Sequence, residues 1–78
     1  MDVVTEVQKI ISANLGVPLA SVQPESKAVD FSNWDSIQHL LLVMEIEERF
    51  GFKFALEEIA GLDSVGNIMM AVQKRVAA

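Results

Sequence analysis

The chain is 78 residues and 8.6 kDa long, with eleven acidic against six basic side chains and a net charge of −5. That size gives room for one domain, residues 1–78, with roughly 4,700 Å² of folded surface against roughly 12,500 Å² unfolded, so a modest core is expected and a deep substrate cleft is not. The acidity opposes binding to nucleic acid and to anionic membranes, and the absence of Cys with a single His excludes disulfides and thiolate zinc and argues against a transition-metal site.

The first element is a helix. Val3, Val7, Ile10, Ile11 and Leu15 recur at three- and four-residue steps with polar residues between them. Asp2 is suited to cap its start, Gly16 to stop it, and Pro18 to prevent its continuation. From Val17 to Trp34 the periodicity fades among Pro18, Pro24, Ser21, Ser26, Ser32 and Asn33, which predicts a long loop. Val22, Val29 and Phe31 are its expected core anchors, with a helical turn near Leu19 to Val22.

A second helix is predicted from Ser36 to Phe50. Asp35 is its N-cap, Gln38 completes a capping-box-like pair, and Trp34 is placed to pack on His39 as a staple. Gly51 ends it. A short third helix, Leu56 to Ala60, carries Glu57 and Glu58 in its first turn. Asp63 or Ser64 caps a fourth, in which Val65, Ile68, Met69, Val72 and Val76 form one stripe and Lys74 and Arg75 suit the last turn. No segment alternates long enough for a strand. The expected fold is all-α, a four-helix bundle with a long first loop and a short third helix.

The N-terminal MDVVTEVQ lacks the pattern of a secretory signal, and the longest apolar run, Leu40 to Met44, is far short of a membrane span. A cytoplasmic, monomeric protein is expected, and Met1 favours a complete chain.

The second helix carries two apolar stripes. At 100° per residue from Ile37, Leu42, Val43, Ile46 and Phe50 fall between about 140° and 240°, whereas Ile37, Leu40, Leu41 and Met44 fall between about 300° and 40°. The first continues toward Phe52 and Phe54 and is assigned to the core. The second is bordered by Glu45, Glu47 and Glu48, which favour water, and is expected to be an exposed partner site. His39 falls on the core side and is expected to pack. Glu45 and Arg49 are spaced as an i,i+4 pair. Met69 is expected to be a flexible apolar filler of a soft core.

Ser36 sits where the long loop meets this helix. A phosphate ester there would meet free backbone N–H groups and the positive end of the helix dipole. Its hydroxyl is a weak nucleophile, and His39 is not placed to form a triad, so a hydrolase reading fails. Asp63-Ser64-Val65 repeats the Asp-Ser-hydrophobe pattern and is expected to be only a cap.

Leu15-Gly16-Val17, Phe31, Trp34-Asp35-Ser36-Ile37 and the run Leu42-Val43-Met44-Glu45-Ile46-Glu47-Glu48-Arg49-Phe50-Gly51 together resemble an acyl carrier protein, from about Val3 to Val76. The resemblance implies the four-helix fold of that family. It also implies that Ser36, with Asp35 before it, carries 4′-phosphopantetheine donated by coenzyme A through a phosphopantetheinyl transferase. Acyl groups would ride as thioesters on the arm's thiol. Acyl-activating or acyl-transfer enzymes, a ketosynthase or similar, would dock on the helix after the serine, here on Ile37, Gln38, Leu40, Leu41, Met44, Glu45, Glu47 and Glu48. The chain itself would not be an enzyme.

Two features depart from the family pattern. Ser32-Asn33-Trp34 replaces a small-residue run before Asp-Ser. Gln38 and Leu41 stand where fatty-acid-type members commonly have acids. A carrier for a specialised lipid, polyketide or related pathway is therefore expected, with neutral drift at surface positions as the bland alternative. A peptidyl or aminoacyl carrier is the near alternative. An unmodified helical module gripping a partner helix through Ile37, Leu40, Leu41 and Met44 is the distant one. A DNA-binding helix-turn-helix fits the helix count but not the charge.

Overall fold

The computed structural model describes residues 2–77. Its elements are α1 (Val3–Leu15), α2 (Ser36–Phe50), α3 (Leu56–Ile59) and α4 (Val65–Ala77), with single 3₁₀ turns at Leu19–Ser21 and Ala28–Asp30 inside the long first loop. Each boundary has a local cause. Asp2 caps α1, its carboxylate accepting from the Val4 N–H and the Thr5 hydroxyl, and the Thr5 bond is the main reason its carboxyl lies below the usual aspartate value. Gly16 and Gly51 stop α1 and α2 at φ of 66° and 75°, a left-handed conformation that a residue with a Cβ adopts at a cost.

α1 packs against both α2 and α4. The core joins Val7, Ile10, Ile11 and Leu15 to Leu42, Val43 and Ile46, and to Val65, Ile68, Met69 and Val72. Val22, Trp34, Phe54 and Leu62 close it from the connecting segments. The total surface, 4709 Å², agrees with the size scaling. Two expected core residues lie outside. Val29 is 88% exposed because the 3₁₀ turn, with three residues per repeat, directs Ala28 and Phe31 inward and Val29 out. Val76 is also exposed, and the packed stripe of α4 ends at Val72.

The long loop is fastened rather than free. The Ala28 N–H donates to the Asp63 carbonyl, the Val65 N–H to that of Ser26, and the Gly66 N–H to that of Pro24, at 2.8 to 2.9 Å. Lys27 and Ser64 form an isolated antiparallel bridge, and no longer strand pairing occurs among the described residues. Gly66 permits this approach: a Cβ there would lie 2.8 Å from the Pro24 carbonyl oxygen, inside contact distance. The loop thereby closes over the start of α4 and delivers its last residues to the start of α2.

The short α3 is held from outside its own four residues. Glu58 caps its start, accepting from the Ala55 N–H, and is gripped by the Arg75 guanidinium of α4. These two contacts, the Ala55 bond first, hold the Glu58 carboxyl below its ordinary value. Arg75 also donates to the Lys53 carbonyl and lies 5.5 Å from the centroids of both Phe52 and Phe54.

Candidate functional site

The two Asp-Ser dipeptides differ by one residue of helical register, and that difference defines the site. At α4 the serine is the cap: Ser64 Oγ accepts from the Asn67 N–H, and Ser64 is half-buried in its bridge with Lys27. At α2 the aspartate is the cap: Asp35 Oδ1 accepts from the Gln38 N–H at 2.8 Å, and the Asp35 carbonyl accepts from His39. Ser36 is therefore the first helical residue, exposed, and its hydroxyl has no capping duty. Among the described residues, neither this hydroxyl nor the N–H groups of Ser36 and Ile37 have an intramolecular hydrogen-bond partner. The positive end of a fifteen-residue helix faces outward at that point.

Three fasteners hold the approach to Ser36. The Asn33 side-chain amide donates to the Leu15 carbonyl, and the Gln38 side chain donates to the Asn14 carbonyl at 2.8 Å. Both satisfy carbonyls at the end of α1 that helix geometry leaves without partners. The third is Trp34, buried, with its ring 5.9 Å from that of Phe31. Its indole N–H donates to His39 Nδ1 at 2.9 Å, and His39 Nε2 lies 2.9 Å from the Ile59 carbonyl oxygen of α3. An indole nitrogen only donates, so His39 is the neutral Nε2–H tautomer, with both ring nitrogens committed. It is not available as a base for Ser36. The staple spacing predicted the contact of Trp34 with His39; its hydrogen-bonded form and its extension to α3 had no sequence signal. The predicted capping box is not formed, because the Gln38 side chain turns to α1 instead of back to Asp35.

The two stripes of α2 separate as expected. Leu42, Val43 and Ile46 are at most 2% exposed, whereas Ile37, Leu40, Leu41 and Met44 are 49 to 72% exposed. Glu45 and Glu48 flank the exposed stripe in solvent. Glu47 does not: it is half-buried, and its carboxylate accepts from the Phe54 N–H at 2.8 Å, tying α2 to the segment before α3. Arg49 pairs with Glu6 of α1 at 2.7 Å and not with Glu45. The exposed face therefore consists of four apolar side chains and two carboxylates beside a free hydroxyl.

Next to Ser36 lies a groove of about 380 Å³, lined by Ala28, Trp34, Asp35, His39, Ala60 and Asp63. An unbonded hydroxyl on a helix N-terminus with two free N–H groups, opening on such a groove, accepts a phosphodiester without displacing any existing bond. These residues fit a phosphate-linked arm, and His39, with both ring nitrogens bonded, forms no nucleophile–base pair with Ser36.

Comparison with known proteins agrees. The family model for the phosphopantetheine attachment site matches residues 5–72. An acyl carrier protein of Thermotoga maritima is 32% identical over 96% of this chain and 93% of its own. A meromycolate extension acyl carrier protein of Mycolicibacterium smegmatis is 29% identical over 94% and 74%. The solution structure of a holo acyl carrier protein from Geobacter metallireducens superposes with a TM-score of 0.85 at 28% identity, covering 99% of this chain and 88% of that one. The chain belongs to the acyl carrier protein family of phosphopantetheine-attachment domains. Its cofactor is covalent 4′-phosphopantetheine, and it is a carrier on which enzymes act, among them a phosphopantetheinyl transferase and acyl-handling enzymes. Among the described residues no helix is long and apolar enough to cross a membrane.

Proposed function

We propose that Ser36 is the attachment point and that the arm carries acyl thioesters for a specialised lipid, polyketide or related pathway in the cytoplasm. The register of α2 carries this reading: Asp35 takes the capping role, which leaves the Ser36 hydroxyl exposed and unbonded. In the transfer, Ser36 Oγ forms a bond to the phosphorus of the phosphopantetheine half of coenzyme A, the pyrophosphate link breaks, the nucleotide half leaves, and the hydroxyl proton passes to the transferase. The chain's part is to present the oxygen and to offer the Ser36 and Ile37 N–H groups to the phosphate. A tethered arm raises the local concentration of its cargo at each enzyme visited.

Incubation with coenzyme A and a broad-specificity transferase is expected to add one phosphopantetheine by intact mass, to leave Ser36→Ala unmodified, and to modify Ser64→Ala as readily as the unaltered chain. An unchanged mass, or loss of modification only in Ser64→Ala, overturns the assignment.

The docking face is Ile37, Leu40, Leu41 and Met44 with Glu45 and Glu48; Gln38 and Glu47 support it from within, through Asn14 and Phe54. It is more apolar and less acidic than a fatty-acid-type face, with Gln38 and Leu41 at positions commonly acidic there. That balance supports a dedicated partner set. Loaded with an acyl group and offered to a fatty-acid-synthase ketosynthase, the chain is expected to turn over about tenfold more slowly than the housekeeping carrier, through weaker electrostatic steering. Equal turnover contradicts the specialised assignment.

A further inference from the structure

The relay from Trp34 through His39 to Ile59 lies across the seam between α2 and α3, one helical turn below Ser36. Resting on the attachment assignment above, we propose that this relay is a latch that keeps the acyl cargo out of the helical core and in the open groove beside Ser36, so that Trp34 and His39 determine how the cargo is presented.

Three observations converge on this. First, the seam is closed by polar bonds. Trp34 and His39 use both imidazole nitrogens and a backbone carbonyl of α3, and a chain passing inward beside Ser36 would have to break at least one of these part-buried bonds. A donor or acceptor left without its partner by an entering alkyl chain is strongly disfavoured. Second, no buried side-chain nitrogen or oxygen lacks a partner among the described residues, so an entering chain meets a satisfied network and not a vacant one. Third, an alternative berth adjoins the attachment oxygen. The groove walls are the small side chains of Ala28 and Ala60 with the rings of Trp34 and His39, and Asp35 and Asp63 border it. Small walls admit the arm, the rings offer apolar contact, and the carboxylates accept from the arm's amide N–H groups. Asp63 is also fixed, since its carbonyl accepts from Ala28 across the groove. Both faces of α3 that matter to the latch are anchored independently, through Ile59 to His39 and through Glu58 to Arg75. Met69 is buried in the core, where the sequence placed it, but behind this latch.

The test uses butyryl, octanoyl and dodecanoyl groups transferred with the pantetheine arm from the corresponding acyl-coenzyme A. The readouts are the rate of thioester cleavage by hydroxylamine, followed by intact mass, and quenching of Trp34, the only Trp in the chain, by acrylamide. In the unaltered protein the three cleavage rates are expected to agree within about twofold, because a cargo outside the core is equally accessible at every length. Arm attachment is expected to shield Trp34 from the quencher. In His39→Ala, which removes both bonds, the octanoyl and dodecanoyl esters are expected to be cleaved about tenfold more slowly than the butyryl ester as the chain enters the core. Trp34→Phe, which removes the indole donor but keeps an aromatic ring, gives the same trend if His39→Ala fails to fold. Length-dependent protection in the unaltered protein overturns the proposal, as does the absence of any length dependence in a folded latch variant. Failure of the attachment assignment is distinguishable: no ester would form on Ser36.

Discussion

Replacing Ile46 by Ala is expected to lower the unfolding free energy by about 3 kcal/mol, whereas Met44→Ala, two residues away on the same helix, should change it by no more than about 0.5 kcal/mol. Ile46 is fully buried in the core, on the helix that packs against α1, and its truncation removes transfer energy and leaves a void that the close-packed neighbours fill only in part. At ~0.1 kcal/mol per residue, such a loss is a third or more of the stability typical of a chain this size. Met44 is 61% exposed, and Ala is the better helix former, so little is lost there. Urea unfolding of both variants checks the contrast. A Met44→Ala cost equal to that of Ile46→Ala would mean that both stripes of α2 are buried, and would overturn the docking proposal.

That contrast also marks what was legible in the sequence. Apolar periodicity and caps are local signals. They placed α1, α2 and α4, the two glycine stops and the split of α2 into a buried and an exposed face. Long polar side chains are not local, because each chooses among partners that only the folded chain brings near. Arg49 has Glu45 one turn away but bonds Glu6, forty-three residues distant in sequence. Gln38 turns to Asn14, and Glu47 reaches the Phe54 N–H, so two residues that read as surface are structural. The loop hid Val29 for a different reason: a three-residue repeat at Ala28–Asp30 reverses the facing that a four-residue rhythm suggests. Asp35-Ser36 and Asp63-Ser64 are the same letters in two registers. Context favoured the first as the candidate attachment serine, and the capping bonds show how the two registers differ: Asp35 caps α2, whereas Ser64 caps α4.

The proposed docking face is expected to make two separable contributions, one apolar and one charged, and two double variants distinguish them. Leu41→Gln with Met44→Gln keeps the net charge and the helix propensity while removing the apolar contact. Both side chains are about half exposed or more, so the fold is expected to be unaffected. Losing about 1 kcal/mol at each site corresponds to a fall of about 30-fold in kcat/KM for the phosphopantetheinyl transferase. Short-range contact survives salt, so this fall should be the same at low and high ionic strength. Glu45→Gln with Glu48→Gln removes the two solvent carboxylates instead. Its expected effect is smaller, about fivefold at low salt, and it should vanish as the Debye length shrinks to ~3 Å near 1 M salt, because steering acts on the encounter rate through exposed charges. Glu47→Gln belongs with neither, since its carboxylate is spent on the Phe54 N–H, and its cost should appear in thermal stability before transferase kinetics. If Leu41→Gln with Met44→Gln leaves transferase kinetics unchanged while the glutamate pair abolishes them at every salt concentration, the face works by charge alone and the apolar stripe is not the contact.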